Sequence, residues 1–193
     1  MLGNELLQSA RVRLAPMEKD AFLQIEEWHT NDLETMRYLR RGLVMPESRA
    51  VTERWFEKLS KQEETAFVFS IRLRADDSLL GGCGLKEVMW QARHAEVWIT
   101  LSRPDSRGQG YGTEAMEILL RYAFMELNLN RVGLVVAAYN QRARASYEKC
   151  GFVLEGTLRE NMWRDGEYHD LYLMGILRRE WAVRQPDPAQ QER

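Results

Sequence analysis

The 193-residue sequence predicts an α/β domain with about seven strands, and two features of its second half indicate this fold class. Residues 95–138 have the pattern of a strand, a long helix and a second strand, which predicts two parallel strands joined by a right-handed crossover. Near the C-terminus, two segments rich in β-forming residues flank Asp165 and Gly166, a dipeptide typical of the turn of an antiparallel hairpin. The sequence therefore predicts both parallel and antiparallel strand pairs.

The composition is that of a single globular domain. Hydrophobic residues make up 45% of the chain and charged residues 29%, and the formal net charge is −2. This charge provides no basic field that would attract nucleic acid or an anionic membrane, and no apolar run is long enough to span a bilayer. The N-terminus lacks the basic and apolar regions of a signal peptide. We therefore expect a cytoplasmic protein with one domain over residues 1–184, a disordered polar tail over 185–193, and no nucleic-acid or membrane partner.

The first third of the chain predicts one short strand followed by helices. Residues 11–14 alternate polar and apolar side chains, as in a strand. Apolar residues spaced by three or four predict a helix over 17–39, interrupted near residues 30–31, and another helix over 49–60. The first helix carries the carboxylates of Glu18, Asp20, Glu26, Glu27, Asp32 and Glu34. Such charges are typical of a solvated helix face, and they would also suit a rim that attracts a cationic substrate.

Three strands are predicted in the middle of the chain. Residues 66–73 and 79–90 are rich in β-forming side chains and are separated by a turn at 76–78. The second of these segments contains three glycines, Gly81, Gly82 and Gly84. They indicate a bulge or a close approach to the backbone. The third strand, 95–101, alternates an apolar face with a second face formed by Glu96, Trp98 and Thr100.

A glycine-rich loop at residues 107–112 (RGQGYG) links the third of these strands to an amphipathic helix over 110–127. The free N–H groups and the dipole at the start of a helix favour an anion, and glycines let a phosphate approach the backbone closely. Arg107 would add a charge-assisted hydrogen bond. The same glycines would also suit an ordinary strand-to-helix turn that needs positive φ angles, and the loop alone leaves both interpretations open.

Two common nucleotide-binding motifs are excluded by the spacing of this loop. The Walker pattern requires Gly-Lys followed by Ser or Thr, and here Gly112 is followed directly by Thr113. The dinucleotide fingerprint requires G-x-G-x-x-G in the first βαβ unit, whereas this loop has G-x-G-x-G and comes after several strands.

The last part of the chain predicts a strand, a short helix and a hairpin. Residues 131–138 form a continuous apolar run, as in a buried strand. A helix over 141–150 is followed by Gly151, which suits a left-handed C-terminal cap. The final two strands are predicted over 152–163 and 167–177.

Two segments resemble the GNAT superfamily of N-acetyltransferases. Arg107, Gly110 and Gly112 form the R-x-x-G-x-G pattern of that family's acetyl-CoA pyrophosphate loop. Residues 140–152 are similar to the family's N-x-x-A-x-x-x-Y-x-x-x-G-F block, and the order and spacing of the two blocks also match. Residues 151–177 resemble the branch that contains ribosomal-protein N-terminal acetyltransferases and spermidine/spermine N-acetyltransferases.

This resemblance implies a mixed, mostly antiparallel sheet of about seven strands, with helices on both faces and a parallel pair that splays apart. Acetyl-CoA would lie in the splay as a co-substrate, and no metal would take part. The backbone of Thr100, Leu101 and Ser102 would pair with its pantetheine arm, while Asn140 and Tyr147 would contact it from the other side. The residues implied in holding its pyrophosphate are Arg107, Gly108, Gln109, Gly110, Tyr111 and Gly112. Arg103, Arg142 and Arg144 are candidates for the outer phosphates, and each would equally suit an ordinary surface position.

Acetyl transfer to an amine requires a neutral amine, a stabilised oxyanion and a proton for the thiolate leaving group. The family block implies that Tyr147 is the general acid that protonates the thiolate; a core tyrosine is the alternative. Glu96 is our candidate for the general base or for a residue that positions a water, because many family members carry a carboxylate on this strand. A structurally paired glutamate is the alternative. His94 and His169 lie near turns and are weaker candidates.

The two cysteines have no predicted role in the chemistry. Cys83 and Cys150 are expected to be reduced, and two ligands do not make a zinc site. No histidine accompanies Cys150 at a telling position, so we expect direct attack by the amine rather than an acetyl-cysteine intermediate.

The expected function is acetyl-CoA-dependent transfer of an acetyl group to a primary amine. A protein N-terminus, a polyamine and a small amine are all compatible acceptors, and a homodimer is possible. The alternative is a non-catalytic acyl-CoA sensor or an interaction module. The presence of Tyr147 and Asn140 favours the enzyme.

Overall fold

A computed structural model describes residues 6–39, 42, 44–61 and 64–185. Its strands are β1 (Val12–Pro16), β2 (Phe67–Leu73), β3 (Leu79–Met89), β4 (His94–Leu101), β5 (Arg131–Ala137), β6 (Val153–Arg164) and β7 (Glu167–Leu177). They form one seven-stranded sheet in the order β1-β2-β3-β4-β5-β7-β6. Only β4 and β5 pair in parallel, so the expected mixed, mostly antiparallel sheet is confirmed.

The helices are α1 (Lys19–Asn31), α2 (Leu33–Leu39), α3 (Arg49–Leu59), α4 (Tyr111–Arg121), α5 (Gln141–Lys149) and α6 (Arg178–Arg184). The predicted interruption of the first helix is confirmed, since Asp32 separates α1 from α2. The helix predicted over 110–127 is α-helical only to Arg121 and ends in a π-helical turn over Tyr122–Glu126. Helix α6 was not predicted, because Trp181 is its one buried residue and a single apolar contact produces no periodicity.

The parallel pair separates soon after it begins. Strands β4 and β5 pair at His94 with Arg131, Ala95 with Val132 and Glu96 with Gly133, and no further. Beyond these positions β4 remains paired only with β3 and β5 only with β7. The expected splay is therefore confirmed, and it leaves an opening between the C-terminal halves of β4 and β5.

Helices cover both faces of the sheet. Leu101 of β4 points towards α4, since a Cβ atom built on Gly112 of this helix would lie 3.5 Å from the Leu101 Cδ1. Trp98 points to the opposite face, as alternation along a strand requires, and there it lies close to Ile25 of α1 across Gly82. The main core is buried on the α4 side and includes Met116, Leu119, Leu120, Phe124, Val132, Leu134 and Ile176.

The glycines of β3 provide space for the indole ring of Trp98. Gly84 pairs with Trp98 and Gly82 with Thr100, so all four residues point to one face of the sheet. A Cβ atom on Gly84 would lie 2.9 Å from Trp98 Nε1, and one on Gly82 would lie 3.3 Å from Cη2. The close approach predicted from these glycines is therefore confirmed.

Left-handed backbone occurs at two turns that the sequence predicts. Gly151 has φ 94° after α5, as expected for a C-terminal cap, and the β6–β7 turn has φ 53° at Asp165 and 85° at Gly166. Within the described ranges, no helix combines the length and apolar character needed to cross a membrane. The tail predicted to be disordered lies outside the described residues, apart from Gln185.

Candidate active site

The splay between β4 and β5 opens into a cleft of about 730 Å³, a size typical of small-molecule sites. One half, here called the loop side, is formed by β4, the glycine loop and α5. Its lining includes Thr100, Leu101, Gly108, Gly110, Gly112, Asn140 and Tyr147. The other half, here called the helical side, is formed by α1, α2 and α3. Its lining includes Glu26, His29, Met36, Tyr38, Leu39 and Trp55.

The glycine loop presents a row of backbone donors at the mouth of the cleft. Gly108 and Gly110 have φ 77° and 86°, a left-handed backbone that glycine adopts without strain. The first N–H of α4 with a backbone acceptor is that of Glu114, which donates to the Gly110 carbonyl (3.1 Å). Among the described residues, the N–H groups of residues 108–113 have no acceptor. The dipole of α4 adds to this positive end, so the loop is suited to an anion.

The side chains of two predicted loop residues contact protein groups outside the cleft. The Gln109 amide donates to the Asp105 carbonyl (2.6 Å). The Tyr111 ring packs under the guanidinium of Arg11, 4.7 Å from the ring centroid. Neither residue lines the cleft.

The Arg107 side chain is bound to protein acceptors. Its Nε donates to the Leu101 carbonyl (3.1 Å) and its Nη2 to the Ser102 carbonyl (3.3 Å). Both terminal nitrogens also reach Oδ2 of Asp32, at 3.2 and 3.1 Å. Hydrogen bonds from Thr35, and then the Arg107 guanidinium, lower the pKa of Asp32 against an opposing effect of burial. Arg107 therefore fixes the geometry of the loop from within.

The end of β4 presents alternate backbone groups to the splay. The Ser102 N–H donates to the Leu80 carbonyl of β3 (2.9 Å). Because the N–H and C=O groups of successive residues in a strand point to opposite sides, those of Thr100 also point towards β3. Leu101 and Ile99 are then the residues whose backbone faces the splay. The Ser102 side chain is only 1% exposed and does not line the cleft.

Tyr147 brings a phenol into the cleft from α5. Its ring is partly buried and packs edge-on against Phe152, with centroids 6.0 Å apart. Its hydroxyl makes no hydrogen bond to any residue that the structure describes. Burial, reinforced by the nearby Cys150 thiol, raises the pKa of Tyr147 to about 12. The phenol therefore keeps its proton at neutral pH.

Asn140 begins α5 on the same side of the cleft. Its Oδ1 accepts from the Ala143 N–H (3.1 Å), which caps the helix. Thr113 and Ser146 join α4 to α5 through their hydroxyls (3.1 Å) at the base of the splay. Asn140 and Tyr147 are thus held on a helix that is fixed to the glycine loop.

Arg144 lies outside the lining of the cleft. Its Nε donates to Oε1 of Glu148 (2.8 Å), and its guanidinium lies 5.2 Å from the centroid of the Tyr172 ring. The cations of α5 that do line the cleft are Arg142 and Lys149. The sequence did not distinguish these positions, because all of them lie on one short polar helix.

Glu96 lines the cleft beside Trp98, but its carboxylate already has a cationic partner. Lys86 Nζ lies 2.9 Å from Oε2 of Glu96 across the β3–β4 pair. The one candidate base named from the sequence is therefore paired with an ammonium in this structure. Within the described part of the chain, no group of three or more potential metal ligands occurs.

Sequence reasoning assigned no role to His29, which joins the helical side of the cleft to β4. Its Nε2 lies 2.8 Å from Ser102 Oγ and 3.3 Å from Thr100 Oγ1, and its Nδ1 lies 3.2 Å from Oε1 of Glu26. The contact between Glu26 and His29 was predictable, because residues three positions apart on a helix are neighbours. The contact with β4, more than seventy positions away, has no counterpart in a local pattern.

The comparisons with known proteins agree with this geometry. A family model described as an acetyltransferase (GNAT) domain matches residues 11–153. The chain is 38% identical over 106 residues to the putative ribosomal N-acetyltransferase YdaF of Bacillus subtilis (strain 168), an alignment that covers 55% of this chain and 57% of that protein.

Two solved structures resemble most of the chain. One is spermidine N-acetyltransferase from Vibrio cholerae in complex with CoA and spermine, with a TM-score of 0.81 and 28% identity over 90% of this chain and 99% of that chain. The other is a dodecameric structure of spermidine N-acetyltransferase from Vibrio cholerae, with a TM-score of 0.76 and 28% identity over 92% of this chain and 100% of that chain. With its matched domain, its sheet and its splayed cleft, the chain belongs to the GNAT acetyltransferase family.

Proposed function

We propose that this acetyltransferase uses acetyl-CoA to acetylate a primary amine by direct attack. The observation that carries the proposal is one cleft that combines two features. At its mouth, the N–H groups of residues 108–113 have no acceptor within the described part of the chain, and inside it lies the protonated Tyr147 hydroxyl. The first feature suits a pyrophosphate, and the second suits a leaving group that needs a proton. The CoA bound to the related Vibrio cholerae enzyme supports the same ligand here.

The cleft offers a complementary surface for each part of acetyl-CoA. The pyrophosphate accepts hydrogen bonds from the loop, and Arg142 and Lys149 supply positive charge for the outer phosphates. The pantetheine arm runs along the open edge of β4, where Leu101 and Ile99 face the splay. Asn140 lies on the opposite wall. This arrangement points the thioester into the cleft towards Tyr147.

The reaction then needs two proton movements. The neutral amine attacks the thioester carbonyl carbon, a C–N bond forms, and the C–S bond breaks as the tetrahedral intermediate collapses. Tyr147 gives its phenolic proton to the departing sulfur, which leaves as the CoA thiol. The proton of the amine passes to a base in the cleft, for which Glu96 is the candidate from the sequence; its carboxylate lies 2.9 Å from Lys86 Nζ.

The acceptor is a primary amine whose body contacts the helical side of the cleft. Relatives of this chain are named for ribosomal and spermidine substrates. A thiol-release assay with acetyl-CoA tests the proposal against spermidine, an alanine-initiated peptide and an aminoglycoside. Amine-dependent release of CoA thiol with formation of the acetylated amine is the expected result. Binding of acetyl-CoA without release against any of the three would favour the alternative of an acyl-CoA sensor.

A cytoplasmic location remains a prediction from the sequence, and so does the possibility that the protein forms a homodimer. Strand β6 lies at the edge of the sheet and exposes apolar side chains at Val153, Leu154, Leu158 and Trp163. The dodecameric relative supports self-association. Light scattering of the purified protein distinguishes a monomer from a dimer or a larger assembly.

A further inference from the structure

A buried chain of hydrogen bonds runs from β4 to the wall of the cleft. The side chains of His29, Ser102 and Thr100 are all buried, with exposed fractions of 6%, 1% and 7%. Thr100 Oγ1 lies 3.4 Å from Ser102 Oγ, which lies 2.8 Å from His29 Nε2. His29 Nδ1 then lies 3.2 Å from Oε1 of Glu26, which lines the cleft.

The partners define the direction of this chain. A carboxylate accepts only, so His29 Nδ1 carries the proton and donates to Glu26. His29 Nε2 is then the acceptor, and the Ser102 hydroxyl donates to it. Both ring nitrogens of His29 therefore have a partner. The carboxylate of Glu26 is therefore oriented by a donor that itself cannot rotate away.

The same three groups occur as the catalytic triad of serine hydrolases, but that chemistry does not fit this position. Ser102 is 1% exposed and lies outside the lining of the cleft, so its hydroxyl cannot reach a thioester. Glu26, His29 and Thr100 of this network line the cleft. Among them, Glu26 has the carboxylate, the group that can bind a cation and accept a proton.

The carboxylate of Glu26, which His29 orients on the helical side of the cleft, is a candidate for the base that the reaction requires. An amine acceptor arrives mostly as an ammonium ion, because the pKa of a free primary amine is near 10. The Glu26 side chain is only 15% exposed, and the attraction between opposite charges is stronger where water is excluded. The neighbouring lining of Met36, Tyr38, Leu39 and Trp55 would surround the body of the amine.

We infer that Glu26 binds the ammonium of the acceptor and takes its proton before attack, and that His29 is the positioning residue that holds Glu26. One N–H bond of the ammonium breaks and an O–H bond forms on Glu26. The freed lone pair attacks the thioester carbonyl carbon, and Tyr147 protonates the sulfur as the C–S bond breaks. The nitrogen then loses its second proton, which returns through water to the Tyr147 phenolate. The proton on Glu26 passes to water when the product leaves. This inference rests on the proposed acetyl transfer to an amine.

The first test replaces Glu26 and compares it with its neighbour. Glu26→Gln removes the charge that faces the cleft, whereas Glu27→Gln removes the same charge from an exposed position on the same helix. With the best acceptor among spermidine, an alanine-initiated peptide and an aminoglycoside, we expect Glu26→Gln to lower kcat and kcat/KM by about 100-fold or more. Glu27→Gln should match the wild type, and both variants should bind acetyl-CoA normally.

The second test separates the orientation of Glu26 from the packing of His29. Asparagine can place an amide N–H near the position of Nδ1, and glutamine can place one near Nε2. His29→Asn should therefore keep much of the activity, while His29→Gln should lose it, although both remove the ring. Equal losses in the two variants, together with equal losses of thermal stability, would assign His29 a structural role and contradict the inference.

The outcomes distinguish this inference from the proposed function. A wild-type enzyme that acetylates an amine, with Glu26→Gln equally active, would overturn the role of Glu26 alone. A loss in Glu27→Gln as large as in Glu26→Gln would do the same. A wild type that binds acetyl-CoA but releases no thiol with any acceptor would contradict the proposed function, and this inference with it.

Discussion

Arg107 of the glycine loop and Asp32 between α1 and α2 form an ion pair with two N–H donors on one carboxylate oxygen, at 3.2 and 3.1 Å. The same guanidinium binds the carbonyls of Leu101 and Ser102. Asp32 in turn accepts from the N–H of Thr35 (3.0 Å) and caps α2. One side chain thus joins the loop, the end of β4 and the helix whose residues line the helical side of the cleft.

Replacing Asp32 should loosen this junction. Asp32→Asn keeps an oxygen that can cap α2 but removes the charge opposite Arg107. Both side chains are about a quarter exposed, so we expect a loss of about 1 kcal/mol in the free energy of unfolding. Chemical denaturation measures it. Asp105→Asn is the matched control, because it removes an exposed ion pair with Arg103, and it should change stability little. Equal losses of unfolding free energy in the two variants would contradict a stabilising role for the ion pair between Asp32 and Arg107.

The stability contributed by Asp32 should depend on pH in a defined direction. The pKa of Asp32 is lowered in the folded protein, so its contribution is present above the unfolded-state pKa of about 4 and is lost as the pH falls through the folded-state pKa. The difference in unfolding free energy between wild type and Asp32→Asn should be largest near neutral pH and should shrink below about pH 4. Denaturation at a series of pH values checks this. A difference that grows in acid would contradict it.

The loop glycines can be tested against a glycine of the same conformation elsewhere. Gly108 and Gly166 have φ 77° and 85°, and a Cβ atom on either would contact nothing within 4 Å. Alanine at each position should therefore cost about 1 kcal/mol of stability from backbone strain alone. Only Gly108→Ala should also weaken acetyl-CoA binding in calorimetric titration, because only this glycine turns N–H groups towards the anion. Similar acetyl-CoA affinities for both variants would contradict the binding of the cofactor by the loop.

The sequence predicted those parts of the fold and site that depend on local patterns. Asp165 and Gly166 define a turn within two residues, and the alternation of β4 places Glu96 and Trp98 on one face regardless of what packs there. The glycine loop was predictable for the same reason, since backbone donors at a helix start need no partner to be recognised.

Other parts of the site depend on contacts between distant segments. The role of Arg107 depends on Asp32, which is seventy-five positions away, and that of Ser102 depends on His29. The orientation of Arg144 depends on Tyr172 and Glu148. A local sequence pattern cannot predict such pairs, because each of these side chains, considered alone, could equally well face solvent or bind a ligand.

The most direct test of the central claim is the rate of amine-dependent thiol release by Tyr147→Phe at saturating acetyl-CoA. This variant removes one hydroxyl, which makes no hydrogen bond to the described residues, and leaves the ring packed against Phe152. Tyr122→Phe is the control, since Tyr122 is also partly buried but packs on Phe67 and Phe69, outside the cleft. If Tyr147 protonates the thiolate, kcat should fall by about 100-fold or more with acetyl-CoA affinity unchanged. A Tyr147→Phe enzyme that turns over as fast as the wild type would contradict the claim that Tyr147 protonates the thiolate.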